Sequence, residues 1–216
     1  MKAESFLTLL LPLLLVTPVH SEPKLLFDDK LLDLLSVESE IRSILPVIKS
    51  AVVSIESSDG AGSGVIVSED GLVLTAAHVI GKRGEKMMVT LAGGSKKNAV
   101  SKGGSELSDA GMLKVIDAVP EFFAPIAQSS VSAVGDWCFA LGHPNGFDQD
   151  RGLVLRVGRV IRKKEETMQT DCRLLGGDSG GPLFSIDGEV IGIHSRISQD
   201  PEANFHTTIE SFHSNW

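Results

Sequence analysis

The apolar residues of this chain change spacing twice, and each change marks a different kind of element. A largely apolar run extends from Phe6 to Val16. From Lys24 to Leu45 the apolar residues recur at helical spacing, at Leu31, Leu34, Leu35, Ile41, Ile44 and Leu45, and Pro46 closes the pattern. The spacing predicts an N-terminal helical segment within residues 22–50, packed on the outside of the main fold. A helix offered to a partner or a second copy is the sharper reading of the same stripe.

Beyond Pro46 the chain breaks into short β-branched runs separated by Gly, Asp and Asn. Six of them are Ala51–Glu56, Gly64–Ser68, Leu72–Thr75, Met87–Leu91, Ala99–Lys102 and Met112–Ile116. A second six are Trp137–Leu141, Leu153–Ile161, Glu166–Thr170, Gly181–Phe184, Val190–Ser195 and Phe205–Ile209. Many short strands with regular turn signals predict an all-β barrel or sandwich. Glu69-Asp70-Gly71 and Ile186-Asp187-Gly188 read as hairpin turns. The stretch from Asp117 to Glu121, with Pro120 inside it, is the natural seam, dividing a first unit at residues 51–116 from a second at 117–216.

The first residues are set apart from the fold. Met1-Lys2 precedes the apolar run, and Val19 and Ser21 stand where a signal peptidase requires small residues. Residues 1–21 are read as a cleaved secretory signal, with export to the periplasm or the medium. Glu4 is unusual there and keeps an uncleaved anchor as the other reading. No other stretch is long and apolar enough to span a bilayer, so no stable membrane insertion is expected once the signal is gone. The formal net charge of −8 leaves no electrostatic footprint for nucleic acid. Arg156, Arg159, Arg162, Lys163 and Lys164 are followed at once by Glu165-Glu166 and read as a solvated hairpin. The two cysteines, Cys138 and Cys172, are too few for a disulfide scaffold. Two buried thiols are preferred, with a single bridge as the alternative.

Chemistry concentrates in Leu175-Gly176-Gly177-Asp178-Ser179-Gly180-Gly181-Pro182-Leu183. Glycines let the backbone take positive φ and turn successive N–H groups into one small space, which an oxyanion site requires. Upstream lie Leu74-Thr75-Ala76-Ala77-His78-Val79 and Ser108-Asp109-Ala110. A serine hydroxyl needs an adjacent base, and that base needs an orienting carboxylate. His78, Asp109 and Ser179 are therefore the candidate triad. The N–H groups of Gly177 and Ser179 are the candidate oxyanion hole. Asp109 is preferred over Asp59, Asp70 and Asp117 because it immediately precedes an apolar strand. His143, His206 and His213 are read as surface or core residues. An esterase elbow needs strands alternating with helices, and that pattern is missing. A metal site from Cys138, Cys172 and nearby histidines has no ligand spacing to recommend it. The mechanism implies neither metal nor organic cofactor.

Together, Gly62-Ser63-Gly64-Val65-Ile66-Val67, the Leu72–Val79 segment, Gln169-Thr170-Asp171 and Gly188-Glu189-Val190-Ile191-Gly192-Ile193 resemble the HtrA/DegP-type trypsin-like serine proteases. The resemblance covers roughly Ala51 to Ser195. It implies a chymotrypsin-like fold of two β-barrels, with His78 and Asp109 on the first and Ser179 on the second. It further implies endopeptidase activity on polypeptide substrates and a part in protein quality control. The competing reading is a resting or non-catalytic protease fold that binds extended peptide segments.

The departures from the family pattern are specific. Members generally carry PDZ domains after the protease, whereas this chain ends at Trp216, so tethered peptide-sensing regulation is not expected. The group usually has Asn before the nucleophile, where this chain has Asp178. Digestive trypsins use an Asp there to capture a new N-terminus after cleavage. No Ile-Val-Gly-Gly activation site is present, so Asp178 is expected to pair otherwise, with Arg173 as one partner. Asp109-Ala110-Gly111 replaces the more familiar Asp-Leu/Ile-Ala. In this fold the specificity pocket is walled by residues before the nucleophile, here Arg173, Leu174 and Leu175, and by a later strand, here His194, Ser195 and Arg196. His194 stands where glutamyl endopeptidases, a related group, carry a histidine that meets a substrate carboxylate. A preference for acidic residues before the scissile bond follows; a small aliphatic pocket set by Leu174 is the alternative.

Overall fold

The β-branched runs become twelve strands that pair antiparallel and close on themselves twice. In the computed structural model, which describes residues 26–57, 60–117, 122–128, 132–197, 200 and 203–215, the first barrel takes β1 (Val52–Ser57), β2 (Gly60–Ile66), β3 (Leu72–Ala76), β4 (Lys86–Thr90), β5 (Lys96–Ser105) and β6 (Ala110–Val115). Their order around the barrel is β1-β2-β3-β6-β5-β4. The second barrel takes β7 (Trp137–Gly142), β8 (Val154–Lys163), β9 (Thr167–Thr170), β10 (Pro182–Ser185), β11 (Val190–Arg196) and β12 (Asn204–Thr208). Here the order is β10-β11-β12-β9-β8-β7. Closure removes the free sheet edges that would otherwise pair with other chains. The hairpin turns before β3 and β11 carry Gly71 and Gly188 at φ 83° and 85°, a region open to glycine at little steric cost. The predicted signal at residues 1–21, and residues 118–121 of the predicted seam, lie outside the described residues.

The link between barrels is stitched to both. Ala124 N–H donates to Ile66 O of β2 at 2.9 Å, while Val190 N–H of β11 donates to Pro125 O at 2.8 Å. The interiors follow the alternation of the strands: Val53, Ile55, Val65, Val73 and Leu113 are buried in the first barrel. In the second, Phe139 and Phe184 stack at a centroid distance of 5.2 Å.

An N-terminal helix, α1 (Leu26–Ile48), precedes the barrels. Its inner stripe is Val37, Ile41, Ile44 and Ile48, with Ile44 and Ile48 against the Gly188 turn. Of the leucines that carried the helical reading, Leu31, Leu34 and Leu35 stay about half exposed. Pro46 does not end the helix as its sequence suggests. The helix runs on to Ile48, which is buried, so packing outweighs the one backbone hydrogen bond that proline removes near the last turn. Asp33 accepts from Trp137 Nε1 at 3.0 Å and from Arg159 Nη2 at 3.1 Å, tying α1 to the second barrel. A short helix the sequence reading missed, α2 (Ile209–Asn215), follows β12 directly and buries Ile209 and Phe212. Among the described residues, no helix is long and apolar enough to cross a membrane.

The basic run on β8 is less solvated than its sequence suggests. Arg159 lies over the Trp137 ring at 3.8 Å, Lys163 pairs with Glu210 at 3.3 Å, and Arg156 is drawn inward. Cys138 and Cys172 are buried free thiols, as preferred from the sequence.

Candidate active site

Strand register brings His78 and Asp109 together. β3 and β6 pair with Ala76 opposite Ala110, so the turn that follows β3 and the residue that precedes β6 share one end of the barrel. A single 3-10 turn, Ala77–Val79, carries His78. Asp109 takes a left-handed backbone conformation at φ 55°, which aspartate tolerates better than most residues. Its carbonyl accepts Ala77 N–H at 3.1 Å, and its Oδ1 accepts His78 N–H at 3.1 Å. The His78 ring then presents Nδ1 to both carboxylate oxygens, each at 3.0 Å. A carboxylate can only accept, so the hydrogen sits on Nδ1 and Nε2 is left as a base. The hydrogen bond that His78 donates to Asp109 raises the His78 pKa above its ordinary value, against burial and the nearby Arg196 charge, which both lower it. Burial pushes Asp109 upward, but the hydrogen bonds from His78 and Ser195 outweigh it and hold the carboxyl below its ordinary value.

The turn bearing Ser179 comes from the second barrel and is anchored on the first. Ser63 N–H of β2 donates to Ser179 O at 2.8 Å. A side chain at Gly62 would clash with Val79 and press on Ser179 O, so the serine backbone lies across β2 from the residue next to His78. Gly180, at φ 84°, packs against Thr75 and Ala76 at the end of β3, too close for any side chain. The Ser63 hydroxyl donates to Gly177 O at 2.8 Å and accepts His143 N–H at 2.9 Å, and Asn145 N–H donates to Gly176 O at 2.7 Å. The carbonyls of Gly176, Gly177 and Ser179 are thus turned toward protein donors. Among the described residues, neither the Gly177 nor the Ser179 N–H donates within the chain. An open groove of about 960 Å³ runs beside His78, bordered by Ile80, Arg83, Met87, Lys102 and Gly104.

The residues expected to wall the specificity pocket differ in their surroundings. His194 is fully buried and cannot meet a substrate carboxylate as the sequence suggested. Its Nε2 faces Leu141 O at 3.2 Å and its Nδ1 faces Nδ1 of His206 at 3.0 Å, while His206 Nε2 meets the Thr170 hydroxyl at 2.8 Å. Because a carbonyl only accepts, one arrangement fits: His194 carries its hydrogen on Nε2, His206 on Nδ1, and Thr170 donates to His206. Burial holds both rings neutral, with His206 lowered to about 3 and His194 well below its usual value. Ser195 donates its hydroxyl to Asp109 Oδ2 at 2.5 Å. Leu174 is buried in the second barrel's core, and Arg196 is exposed. Asp178 pairs with Arg156, not with the exposed Arg173: the guanidinium meets it at 2.9 and 3.2 Å. The sequence held a hint of Arg156, a cation flanked by Leu155 and Val157, but the cations that follow it made the whole segment look solvated.

Known proteins resemble this chain in sequence and fold. Residues 62–193 match the family model of the trypsin-like peptidase domain. A putative serine protease HhoA of Synechocystis is 38% identical over 152 residues, 65% of this chain and 38% of that protein. A probable periplasmic serine endoprotease, DegP-like, of Halomonas elongata is 35% identical over 158 residues, 71% of this chain and 33% of that protein. The chain therefore spans little more than a third of the length of these relatives. The crystal structure of the serine endoprotease from Yersinia pestis superposes with a TM-score of 0.69 at 28% identity, covering 82% of this chain and 64% of that one. With two closed six-stranded barrels of the chymotrypsin-like kind and DegP-type homologues, the chain belongs to the trypsin-like peptidase family.

Proposed function

We propose that this protein is an exported serine endopeptidase, acting through Ser179, His78 and Asp109. The observation that carries the reading is the double contact of His78 Nδ1 with Asp109, which fixes the tautomer and leaves Nε2 as base. In the proposed reaction His78 Nε2 takes the Ser179 hydroxyl proton as Oγ attacks the scissile carbonyl carbon. The N–H groups of Gly177 and Ser179 receive the negative oxygen. His78 then gives the proton to the leaving nitrogen, the C–N bond breaks, and an acyl-serine remains. Water, deprotonated by the same imidazole, hydrolyses the ester and frees Ser179. The groove beside His78 gives the leaving portion of a long chain room to lie, which favours cleavage within polypeptides over trimming of ends.

Export is supported by the apolar run before Pro18 and by the word periplasmic in the name of the Halomonas relative. Protein quality control belongs to the same proposal as its physiological setting. A preference for acidic residues before the scissile bond now rests on Arg196, which is exposed and close enough to lower the pKa of His78. Faster cleavage of glutamyl than of valyl peptides, lost on Arg196→Ala, is the expected result; equal rates would remove the preference.

Labelling with a fluorescent fluorophosphonate tests the reading, because only an assembled base and nucleophile react quickly. The wild-type chain is expected to label, and Ser179→Ala and His78→Ala are not. A wild-type chain that stays unlabelled would replace this reading with peptide binding by a non-catalytic fold.

A further inference from the structure

The turn that presents Gly177 and Ser179 holds a charge in its interior. Asp178 lies between the two, and its side chain is 0% exposed. Burial pushes its carboxyl upward, so a lone carboxylate there would tend to take a proton or pull the turn open toward water. Arg156 meets it instead, with both guanidinium ends: Nη1 to Oδ1 at 3.2 Å and Nη2 to Oδ2 at 2.9 Å. Such a fork fixes the rotation of a carboxylate as well as its position. Arg156 itself is held by β8, paired opposite Ala140 on β7. The anchor is therefore part of the barrel wall and not of the loop.

From that fixed carboxylate the order passes to the turn. Asp178 Oδ2 also accepts Leu175 N–H at 2.8 Å, Asp178 N–H donates to Leu175 O at 3.1 Å, and Gly181 N–H donates to Asp178 O at 2.8 Å. Residues 175, 178 and 181 are thus pinned, and the amides at 177 and 179 sit between the pins. Gly142 completes the seat, since a side chain there would strike Asp178 Oδ1.

We propose that Arg156 is a positioning residue for the oxyanion turn: by clamping Asp178 from inside the second barrel it fixes the Gly177 and Ser179 amides in the uncleaved chain, so no proteolytic activation step is needed. The inference rests on the endopeptidase reading for its catalytic meaning, though the order of the turn is measurable without it. A permanent internal cation does here what a newly liberated N-terminus does in trypsins.

The test compares the full chain with Arg156→Met, Arg156→Lys and the double variant Arg156→Met/Asp178→Asn. Two quantities are read: steady-state peptide hydrolysis, and hydrogen exchange of the amides at residues 174–181. Arg156→Met is expected to lower kcat by about 100-fold, the scale of losing one oxyanion donor, with KM changed less than about threefold. Exchange should accelerate at 174–181 and not in β7 or β11. Lysine, a single point charge, is expected to recover only part of kcat. The double variant is expected to regain at least about tenfold over Arg156→Met, because a neutral amide still accepts Leu175 N–H and no unpaired charge remains buried. The proposal is overturned if Arg156→Met leaves kcat and exchange at 174–181 unchanged. It is equally overturned if exchange rises evenly through the barrel and the double variant recovers nothing. Should the wild type hydrolyse no peptide, the endopeptidase reading fails by itself, and the exchange at 174–181 still decides whether Arg156 orders the turn.

Discussion

Ser63 of β2 donates its amide to the carbonyl of Ser179 at 2.8 Å, so the candidate nucleophile of one barrel is hydrogen-bonded to a strand of the other. The same Ser63 holds Gly177 O through its hydroxyl at 2.8 Å. One residue, buried and far from Ser179 in sequence, therefore sets the position of both ends of the candidate oxyanion turn relative to His78.

Ser63→Ala should show this dependence. It leaves Gly177 O and His143 N–H buried without their partner, at about 1–3 kcal/mol for each unpaired group. Urea denaturation is expected to show that loss, and kcat to fall about tenfold with it. Unchanged kcat in a destabilised protein would mean the backbone bond alone places the turn.

Asp109 has two side-chain partners, and their removal should be unequal. Asp109→Asn disturbs the tautomer of His78 and is expected to lower kcat on the order of 10⁴-fold, as in the chymotrypsin-type triad. Ser195→Ala removes one hydrogen bond to the same carboxylate, worth about 1.5–3 kcal/mol, or at least about tenfold in kcat/KM. Steady-state kinetics on one peptide series checks both.

The pH profile follows from the direction of the His78 shift. Catalysis needs the neutral imidazole, and Asp109 raises the His78 pKa, so the acid limb of kcat/KM should have its midpoint above 6.5. Arg196 opposes the imidazolium. Arg196→Ala is therefore expected to move the limb to higher pH, and a shift toward acid would contradict the assigned proximity.

Stability should fall in acid for a separate reason. Burial lowers His206 to about 3, His143 to about 4 and His194 well below its usual value, whereas the unfolded chain protonates all three near pH 6.5. Below that pH the unfolded state binds more protons, so unfolding is favoured progressively from about pH 6.5 down toward the folded-state values. Urea midpoints measured from pH 8 to pH 4 are expected to drop through this window. A flat profile would mean that the three rings are solvated.

Alternation and turn residues made all twelve strands legible, and the glycine-flanked serine and the His78 segment made the candidate triad legible. What stayed hidden depended on which side of a strand faces which neighbour. His194 looks like a pocket residue until β11 and β12 pair and turn it toward His206. Ser195 looks like a second wall until closure of the two barrels carries it onto Asp109, 86 residues away in sequence. Arg156 sits among four other cations, and only its ion pair with the buried Asp178 sets it apart from them. Pro46 misled because local propensity knows nothing of the cavity that Ile48 fills.

The helix that opens the described chain has a consequence for how the molecule assembles. Asp33 finds Trp137 and Arg159 across 104 and 126 residues of sequence, and Ile44 rests on the Gly188 turn. The helix, made before either barrel, thus has its docking surface on the second one, and it must wait, with its leucines uncovered, until that barrel exists. Such distant contacts slow folding, and they make α1 a reporter of completion: burial of Ile44 and Ile48 signals that both barrels have closed.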